Sequence, residues 1–229
     1  MSDSPLSRRE DPTRESLPLT VVRGSAHVLL RLIFRLRVTG TEHLPSSGPV
    51  LLAGNHSGFL DGPIVMITLP RPSAFLVKSE LYDGPLRGVL RFARQIPINR
   101  GTPDRTALRR GLEVLARGGV LGVFPEGTRG SGDVTTIQHG IGYLALHAGC
   151  PIVPVLCTGT AEALPKGKKL PRWRAPIEVV FGPAFTLDVP GDLRTRATIA
   201  AAAEQIRGQL ADHLAAHSVS GTAGESRSA

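Results

Sequence analysis

Residues 49–61 have the sequence PVLLAGNHSGFLD, in which an apolar run leads into a short turn and then to Asp61. An uninterrupted apolar run of this length predicts a buried strand, and Asp61 is suited to the start of a helix. The turn between them contains His56. In one continuous helix, residues five apart point about 140° away from each other, so the two side chains would not touch. A turn broken at Gly58 can instead fold Asp61 back onto the imidazole ring.

A histidine held by a carboxylate is suited to catalysis as a general base. The carboxylate of Asp61 would fix one tautomer of His56 and leave the other ring nitrogen free to accept a proton. We therefore predict His56 as the base and Asp61 as its orienting partner. The alternative is an ordinary surface or capping pair with no chemical role.

Three further blocks follow in order along the chain: IPINR at residues 96–100, FPEGTR at 124–129 and PIVPV at 151–155. A fourth short segment, KSEL, occupies residues 78–81. Together with the His-x4-Asp spacing, these blocks resemble the glycerolipid acyltransferase family, to which 1-acyl-glycerol-3-phosphate acyltransferase belongs. The resemblance extends over about residues 36–186 of the sequence.

The resemblance implies transfer of a fatty acyl group from acyl-CoA or acyl-carrier protein to the free hydroxyl of 1-acylglycerol 3-phosphate, which gives phosphatidic acid. The thioester is already activated, so neither a covalent intermediate nor a cofactor or metal is expected. Another lysophospholipid, glycerol 3-phosphate or a glycolipid remains open as the acceptor. Two rivals are a metal-dependent hydrolase that uses His56 and Asp61 as ligands, and a catalytically inactive membrane-binding protein.

Candidate substrate-binding residues lie in or directly after predicted strand ends: Lys78, Arg100, Glu126, Gly127, Thr128 and Arg129. The acceptor in this family carries a phosphate, which requires fixed cations and N–H or O–H donors. Arginine and threonine supply such donors, and Gly127 lets the backbone approach a ligand closely. An ionised Glu126 cannot bind phosphate, so it would pair with an arginine or hold a hydroxyl of the acceptor. The alternative is that these residues form a capped turn with surface charges and bind no substrate.

Composition narrows the class of partner. The chain has 229 residues, a formal net charge of +8 and only 4% aromatic residues. Such a charge suits an anionic membrane or phosphorylated substrates, whereas the scarcity of aromatic residues disfavours nucleic acid. The sequence shows neither a signal peptide nor an uncharged apolar run long enough to span a bilayer. We expect a peripheral protein on the cytoplasmic side of the plasma membrane.

Alternating short strands and helices predict a single α/β domain with a mixed, largely parallel central sheet flanked by helices. The expected domain organisation has four segments: a disordered tail at 1–18, an amphipathic membrane-interface helix at 19–37, the acyltransferase domain at 38–217 and a disordered tail at 218–229.

The predicted helix at residues 19–37 has two chemically different sides. Its four arginines, Arg23, Arg31, Arg35 and Arg37, share one arc, and most of its valines, leucines and isoleucines lie opposite. A helix of this kind can lie in a membrane surface, where anionic headgroups attract the arginines. The alternative is a helix packed on the core with a solvated basic face.

Overall fold

The computed structural model describes residues 17–99, 103–127, 134, 137–190, 192 and 195–223, with the backbone alone for residues 17–19 and 218–223. The helices are α1 Leu17–Ile33, α2 Asp61–Thr68, α3 Arg87–Phe92, α4 Arg105–Ala116, α5 Gly140–Ala148, α6 Thr160–Ala163 and α7 Arg196–Ala223. The strands are β1 Arg35–Thr39, β2 Val50–Gly54, β3 Ser73–Lys78, β4 Ile96–Ile98, β5 Val120–Val123, β6 Ile152–Thr158 and β7 Pro176–Phe181.

The seven strands form one sheet in the order β1-β7-β6-β2-β5-β3-β4. All neighbouring strands are parallel except β6 and β7, which are antiparallel. Strand β2 lies at the centre, and all five of its residues are buried, as its uninterrupted apolar sequence predicts. The expected α/β class with a mixed, largely parallel sheet is confirmed.

Helices cover both faces of this sheet. Alternate residues of β2 point to opposite sides, so Val50 and Leu52 join one apolar cluster while Leu51 and Ala53 join the other. The first cluster includes Ile64 and Val65 of α2, against which α1 packs. The second includes buried residues of α4, α5 and α7: Ala107, Leu115, Ile141, Leu144, Ala203 and Ile206.

The predicted helix at residues 19–37 is wrong at its C-terminal end. Helix α1 ends at Ile33, and Arg35–Thr39 forms the edge strand β1, which pairs in parallel with β7. The sequence RLRVT alternates polar and apolar residues, and Phe34 before it is buried at 3% exposure. Strand pairing therefore prevails over the apolar helical period in this segment. Arg35 and Arg37 belong to the sheet rather than to the helix.

Helix α7 runs Arg196–Ala223, which is six residues beyond the expected end of the acyltransferase domain at residue 217. The expected disordered tail at 218–229 is therefore wrong for its first six residues, which continue the helix. No proline or glycine follows His217 until Gly221, and extending an existing helix costs far less than nucleating one. The segments 1–16 and 224–229 lie outside the described residues.

Candidate active site

The candidate site lies at one edge of the sheet, where three parallel strands end side by side. Strand β2 lies between β5 and β6 and runs parallel to both. His56 follows β2, Glu126 follows β5, and Thr160 follows β6. The carboxyl ends of adjacent parallel strands are the usual place for a site in an open α/β sheet.

The turn after β2 brings the two predicted catalytic residues into contact. His56 Nδ1 lies 2.9 Å from Asp61 Oδ2, and Asp61 is the first residue of α2. Since an ionised carboxylate can only accept, Nδ1 carries the proton and Nε2 remains as the basic nitrogen. The imidazole is 8% exposed and stacks on Phe124, with ring centroids 4.7 Å apart. The chain reversal expected at Gly58 is confirmed.

Asp61 is fully buried and is surrounded by donors. The backbone N–H groups of Ser57 and Gly58 each donate to Oδ2 at 2.8 Å, and the Thr160 hydroxyl donates to Oδ1. A buried carboxylate without such partners would cost several kcal/mol. The position of Asp61 in the first turn of α2 adds a favourable interaction with the helix dipole. These contacts fix the carboxylate that orients His56.

Gly58 allows this turn to pack against α6. A Cβ atom at this position would lie 2.5 Å from Thr160 Oγ1 and 2.9 Å from the backbone nitrogen of Ala161. Both distances are shorter than real Cβ contacts, so any larger residue would push the turn away from Thr160. Packing against α6 therefore requires a glycine at this position.

Glu126 forms a hydrogen bond with the backbone of His56 rather than with its side chain. Its Oε1 accepts a hydrogen bond from the His56 N–H at 2.7 Å, and the residue is 8% exposed. The sequence predicted that this carboxylate pairs with an arginine or holds an acceptor hydroxyl. The observed contact adds a role that sequence reasoning missed, since Glu126 fastens the His56 turn to the end of β5. Gly127 follows at φ +72°, the left-handed region that favours glycine.

Asn55 and Thr160 are two further polar residues that sequence reasoning missed. Asn55 Nδ2 donates to the Cys157 carbonyl at 3.0 Å, and its Oδ1 accepts from the Cys157 N–H at 2.7 Å. This amide joins the ends of β2 and β6, and Thr160 follows β6 into contact with Asp61. No spacing rule predicts these pairs, because their partners lie about a hundred positions away.

Cys157 lies beside the buried carboxylate. Burial raises the pKa of its thiol well above the usual value, and the nearby negative charge of Asp61 raises it further. The thiol therefore stays protonated at neutral pH and is not a nucleophile.

Of the remaining candidate substrate-binding residues, Lys78 alone lies in the part of the chain that the structure describes. Lys78 ends β3 with a half-exposed side chain, and its Nζ pairs with Glu80 at 2.9 Å. Arg100, Thr128 and Arg129 lie outside the described residues.

A cavity of about 570 Å³ lies next to the site. Phe124, whose ring stacks on His56, forms part of its wall, and Asn99 and Gly127 lie at its border. Its remaining lining comes from several elements and includes six aliphatic side chains, Leu76, Ile98, Leu108, Val123, Ile137 and Ile141, together with the polar side chains of Asp104, Gln138 and His139. The apolar PIVPV block contributes buried core residues to β6 and does not line this cavity.

The described residues contain no group of three or more His, Cys, Asp or Glu side chains that could hold a metal ion. Within the same part of the chain, no helix has the length and apolar character that crossing a membrane requires.

Comparison with known proteins identifies the family. The sequence model of the family described as Acyltransferase matches residues 35–158, more than half of the chain. The chain belongs to the acyltransferase family, and the resemblance seen in its ordered blocks is confirmed. The match begins at the first residue of β1 and ends at the last residue of β6.

Two curated relatives and one solved structure illustrate the similarity. The chloroplastic 1-acyl-sn-glycerol-3-phosphate acyltransferase of Arabidopsis thaliana is 27% identical over 164 residues, 69% of this chain and 46% of the relative. The lyso-ornithine lipid O-acyltransferase of Pseudomonas aeruginosa is 34% identical over 143 residues, 61% of this chain and 54% of the relative. The chain thus spans about half the length of these two proteins.

The solved structure is the 1-acyl-sn-glycerophosphate acyltransferase of Thermotoga maritima. It superposes with a TM-score of 0.61 and 20% sequence identity, over 85% of this chain and 79% of that chain. At this level of identity the match supports the fold.

Proposed function

We propose that this protein transfers a fatty acyl group from an acyl thioester to the free hydroxyl of 1-acylglycerol 3-phosphate, which yields phosphatidic acid. The observation that carries the proposal is the hydrogen bond from His56 Nδ1 to the fully buried Asp61, within a family whose named relatives include enzymes of this specificity. A histidine in this arrangement, close to a thioester and a hydroxyl, suits direct acyl transfer.

In the proposed mechanism, His56 Nε2 takes the proton from the acceptor hydroxyl as its oxygen attacks the thioester carbonyl. The imidazolium that forms is stabilised by Asp61, which accepts the hydrogen bond from Nδ1. The tetrahedral intermediate then collapses, the C–S bond breaks, and the proton on Nε2 passes to the leaving thiolate. The new ester and a free thiol are the products, and the enzyme returns to its starting protonation state.

The acyl donor is proposed to be acyl-CoA or acyl-carrier protein, and no metal or cofactor takes part. The aliphatic part of the cavity beside Phe124 is suited to the acyl chain, because a chain placed there would end close to the His56 ring. Glu126 supports this geometry by holding the backbone of the His56 turn from the end of β5.

The acceptor phosphate is proposed to bind the predicted donors Arg100, Thr128 and Arg129, which stays a prediction from the sequence. Two described residues give it support. Asn99 and Gly127, directly before the two predicted segments, both line the cavity beside Phe124. A phosphate held at this border of the cavity would lie at the same strand edge as His56 and would leave the aliphatic part to the acyl chain. Lys78 is proposed as a further, peripheral cation at this edge.

A different acceptor is the main alternative. The relative from Pseudomonas aeruginosa is named for a lyso-ornithine lipid, so a lysolipid without a glycerol phosphate fits the same chemistry. Glycerol 3-phosphate and a glycolipid also remain candidates. Incubation of the purified protein with an acyl thioester and a panel of these acceptors, followed by product identification by mass, tests the proposal. Phosphatidic acid is the expected main product, and acylation of a different acceptor alone would overturn the assignment.

The metal-dependent alternative has a separate test. Direct transfer by His56 requires no metal, so activity should survive prolonged treatment with a strong chelator. Loss of activity that zinc or manganese restores would favour the hydrolase instead.

We also propose that the protein works at an anionic membrane surface through α1. The outer side of this helix is apolar rather than basic, with Val21, Val22, Val28, Leu29 and Leu32 between 51% and 64% exposed. Its inner side packs Leu30 and Ile33 against the core. Apolar residues in water on a helix beside the site support insertion into a bilayer surface. A position on the cytoplasmic face of the plasma membrane stays a prediction.

A further inference from the structure

The connection between α6 and β7 carries two exposed apolar side chains. Leu170 is 82% exposed and Trp173 is 71% exposed, the largest values among the large apolar residues in the described part of the chain. Trp173 is also the sole tryptophan of the sequence. An exposed tryptophan costs free energy in water, and its amphipathic ring is suited to the boundary between headgroups and acyl chains.

The loop of residues 164–174 is fixed to the end of α1. The Arg174 N–H donates to the Ile33 carbonyl at 2.6 Å, and its Nη1 donates to the Arg31 carbonyl at 3.4 Å. At the other side, the Arg172 N–H donates to the Ala163 carbonyl at 2.7 Å. Trp173 lies between these two anchored residues, so its exposed ring projects from a defined backbone next to α1.

This loop lies at the same edge of the sheet as the catalytic pair. It leaves α6, whose first residue Thr160 donates to Asp61, and it enters β7. Strand β7 is antiparallel to β6 and therefore begins where β6 ends. Strand β1 is parallel to β7 and begins at the same edge, directly after α1. The loop and the C-terminal end of α1 are therefore both neighbours of the active site.

The charge of the loop selects the kind of partner. Residues 164–174 carry five cations and no carboxylate: Lys166, Lys168, Lys169, Arg172 and Arg174. All five are exposed. Basic side chains around an exposed tryptophan and leucine fit a surface that is anionic on the outside and apolar beneath, which is the structure of a bilayer containing anionic lipids.

We infer that the loop of residues 164–174 is a second membrane contact, which forms with the outer face of α1 one docking surface for an anionic bilayer. Trp173 and Leu170 enter the interface, and the five basic residues meet the headgroups. The inference deepens the proposed function and rests on it for its purpose, since a bilayer at this edge would supply a lysolipid to His56 directly. Membrane binding itself is measured independently of catalysis.

The sole tryptophan gives a direct readout of this contact. Vesicles of phosphatidylcholine mixed with phosphatidylglycerol should shift the emission of Trp173 to shorter wavelength, and lipids brominated on their acyl chains should quench it. Vesicles of phosphatidylcholine alone should have much less effect. If the protein co-sediments with anionic vesicles while its emission and quenching stay unchanged, Trp173 is outside the interface and the inference fails.

Two variants measure the contributions of the apolar and the basic side chains to vesicle binding. Trp173→Ser combined with Leu170→Ser should weaken vesicle binding by at least about tenfold, because two large apolar side chains lose their place in the bilayer. Replacing Lys166, Lys168 and Lys169 by glutamine should weaken binding chiefly at low salt. Its matched control replaces Arg105, Arg110 and Arg117 by glutamine. This change removes an equal number of positive charges, in and directly after α4, which packs on the opposite face of the sheet from α1.

The outcomes separate this inference from the proposed function. The loop variants should fold normally and acylate a soluble short-chain acceptor at the wild-type rate, while losing activity on acceptors embedded in vesicles. Equal losses in the α4 control would mean that net charge, not the loop, governs binding, and would overturn the inference. Wild-type protein that binds vesicles through Trp173 but acylates no lysolipid would refute the proposed function and leave the docking surface in place.

Discussion

The turn of residues 55–61 and the outer face of α1 differ in how far contacts within the protein bury and bond their side chains. In the turn, Asp61 is fully buried and receives donors from His56, Ser57, Gly58 and Thr160. On α1, Val28, Leu29 and Leu32 are more than half exposed. The partners of Asp61 in the turn all come from this chain, whereas the apolar face of α1 becomes buried only when another surface covers it.

This contrast separates two kinds of consequence. A change in the turn removes an interaction that the folded protein already makes, so it should affect chemistry and, for the buried groups, stability. A change on the outer face of α1 removes nothing that stabilises the isolated protein. It should affect only the encounter with a membrane.

The largest effect is expected for His56→Ala. Removal of a positioned general base should lower kcat by roughly 10²–10⁴-fold, while the chain remains folded because the residue lies in a turn. Turnover with an acyl thioester and a soluble lysolipid measures the rate, and circular dichroism checks the fold. A folded variant with near-normal turnover would exclude His56 as the base.

Asp61→Asn should be nearly as severe for activity and should differ from His56→Ala in stability. The amide removes the negative charge that stabilises the imidazolium. Its NH₂ group can only donate, so either the N–H donors at the Oδ2 position or the Thr160 hydroxyl at the Oδ1 position lose their acceptor. A buried donor left without a partner costs about 1–3 kcal/mol. Denaturant unfolding should show this loss for Asp61→Asn and a smaller one for His56→Ala. Equal stability of the two variants would contradict the assigned network.

The predictability of these residues from sequence follows from their separation along the chain. His56 and Asp61 are five positions apart on a strand–turn–helix unit, so a local pattern was enough to pair them. The contact of Glu126 with the His56 N–H spans 70 positions, and that of Thr160 with Asp61 spans 99. Both depend on β2 lying between β5 and β6, an order that propensity and spacing do not encode.

The predicted C-terminal end of the helix at residues 19–37 was wrong for a different reason. From Leu29 to Leu36 the apolar residues satisfy both a helical and an alternating period, and neither proline nor glycine marks the end of the helix. The pairing partner that decides the matter, β7, lies about 140 positions away. The same ambiguity led to the prediction of a basic helix face, although Arg35 and Arg37 are in fact strand residues.

Arg100→Ala and Arg129→Ala extend the comparison to the predicted phosphate-binding segments. A charge-assisted contact contributes about 1.5–3 kcal/mol, so kcat/KM for the acceptor should fall roughly ten- to a hundredfold. The KM of the acyl donor should change less. An acceptor without a phosphate, a poor substrate for the wild type, should lose little more in either variant. Loss of donor affinity instead would place these arginines at the carrier.

Thr160→Val tests whether the far side of Asp61 contributes to catalysis. Valine keeps the shape but removes the hydroxyl that donates to Oδ1. The carboxylate that orients His56 then loses one of its fixed contacts, so kcat/KM should fall about tenfold. Thr160→Ser, which retains the donor, should restore kcat/KM. Unchanged kcat/KM in a folded valine variant would show that the hydroxyl does not contribute to catalysis.

The smallest effect on the stability of the isolated protein is expected on the solvent-exposed face of α1. Two adjacent leucines, one exposed and one partly buried, allow a direct comparison. Leu29 is 55% exposed on the outer face, whereas Leu30 is partly buried and packs against the core cluster that includes α2. Leu29→Ser should change the unfolding free energy by less than about 0.5 kcal/mol, since exposed sites without special contacts tolerate substitution. Leu30→Ser should cost about 2 kcal/mol or more, because it places a hydroxyl among apolar side chains and leaves a cavity.

On anionic vesicles the order of the two leucine variants should reverse. Leu29→Ser should weaken co-sedimentation at low and high salt alike, because the lost interaction is apolar burial rather than attraction between charges. Leu30→Ser, measured at a temperature where it is still folded, should sediment like the wild type. If Leu29→Ser instead destabilises the protein, α1 is covered by the chain itself. If it affects neither stability nor sedimentation, the apolar face of α1 is not the membrane contact, and the loop of residues 164–174 would have to hold the bilayer alone.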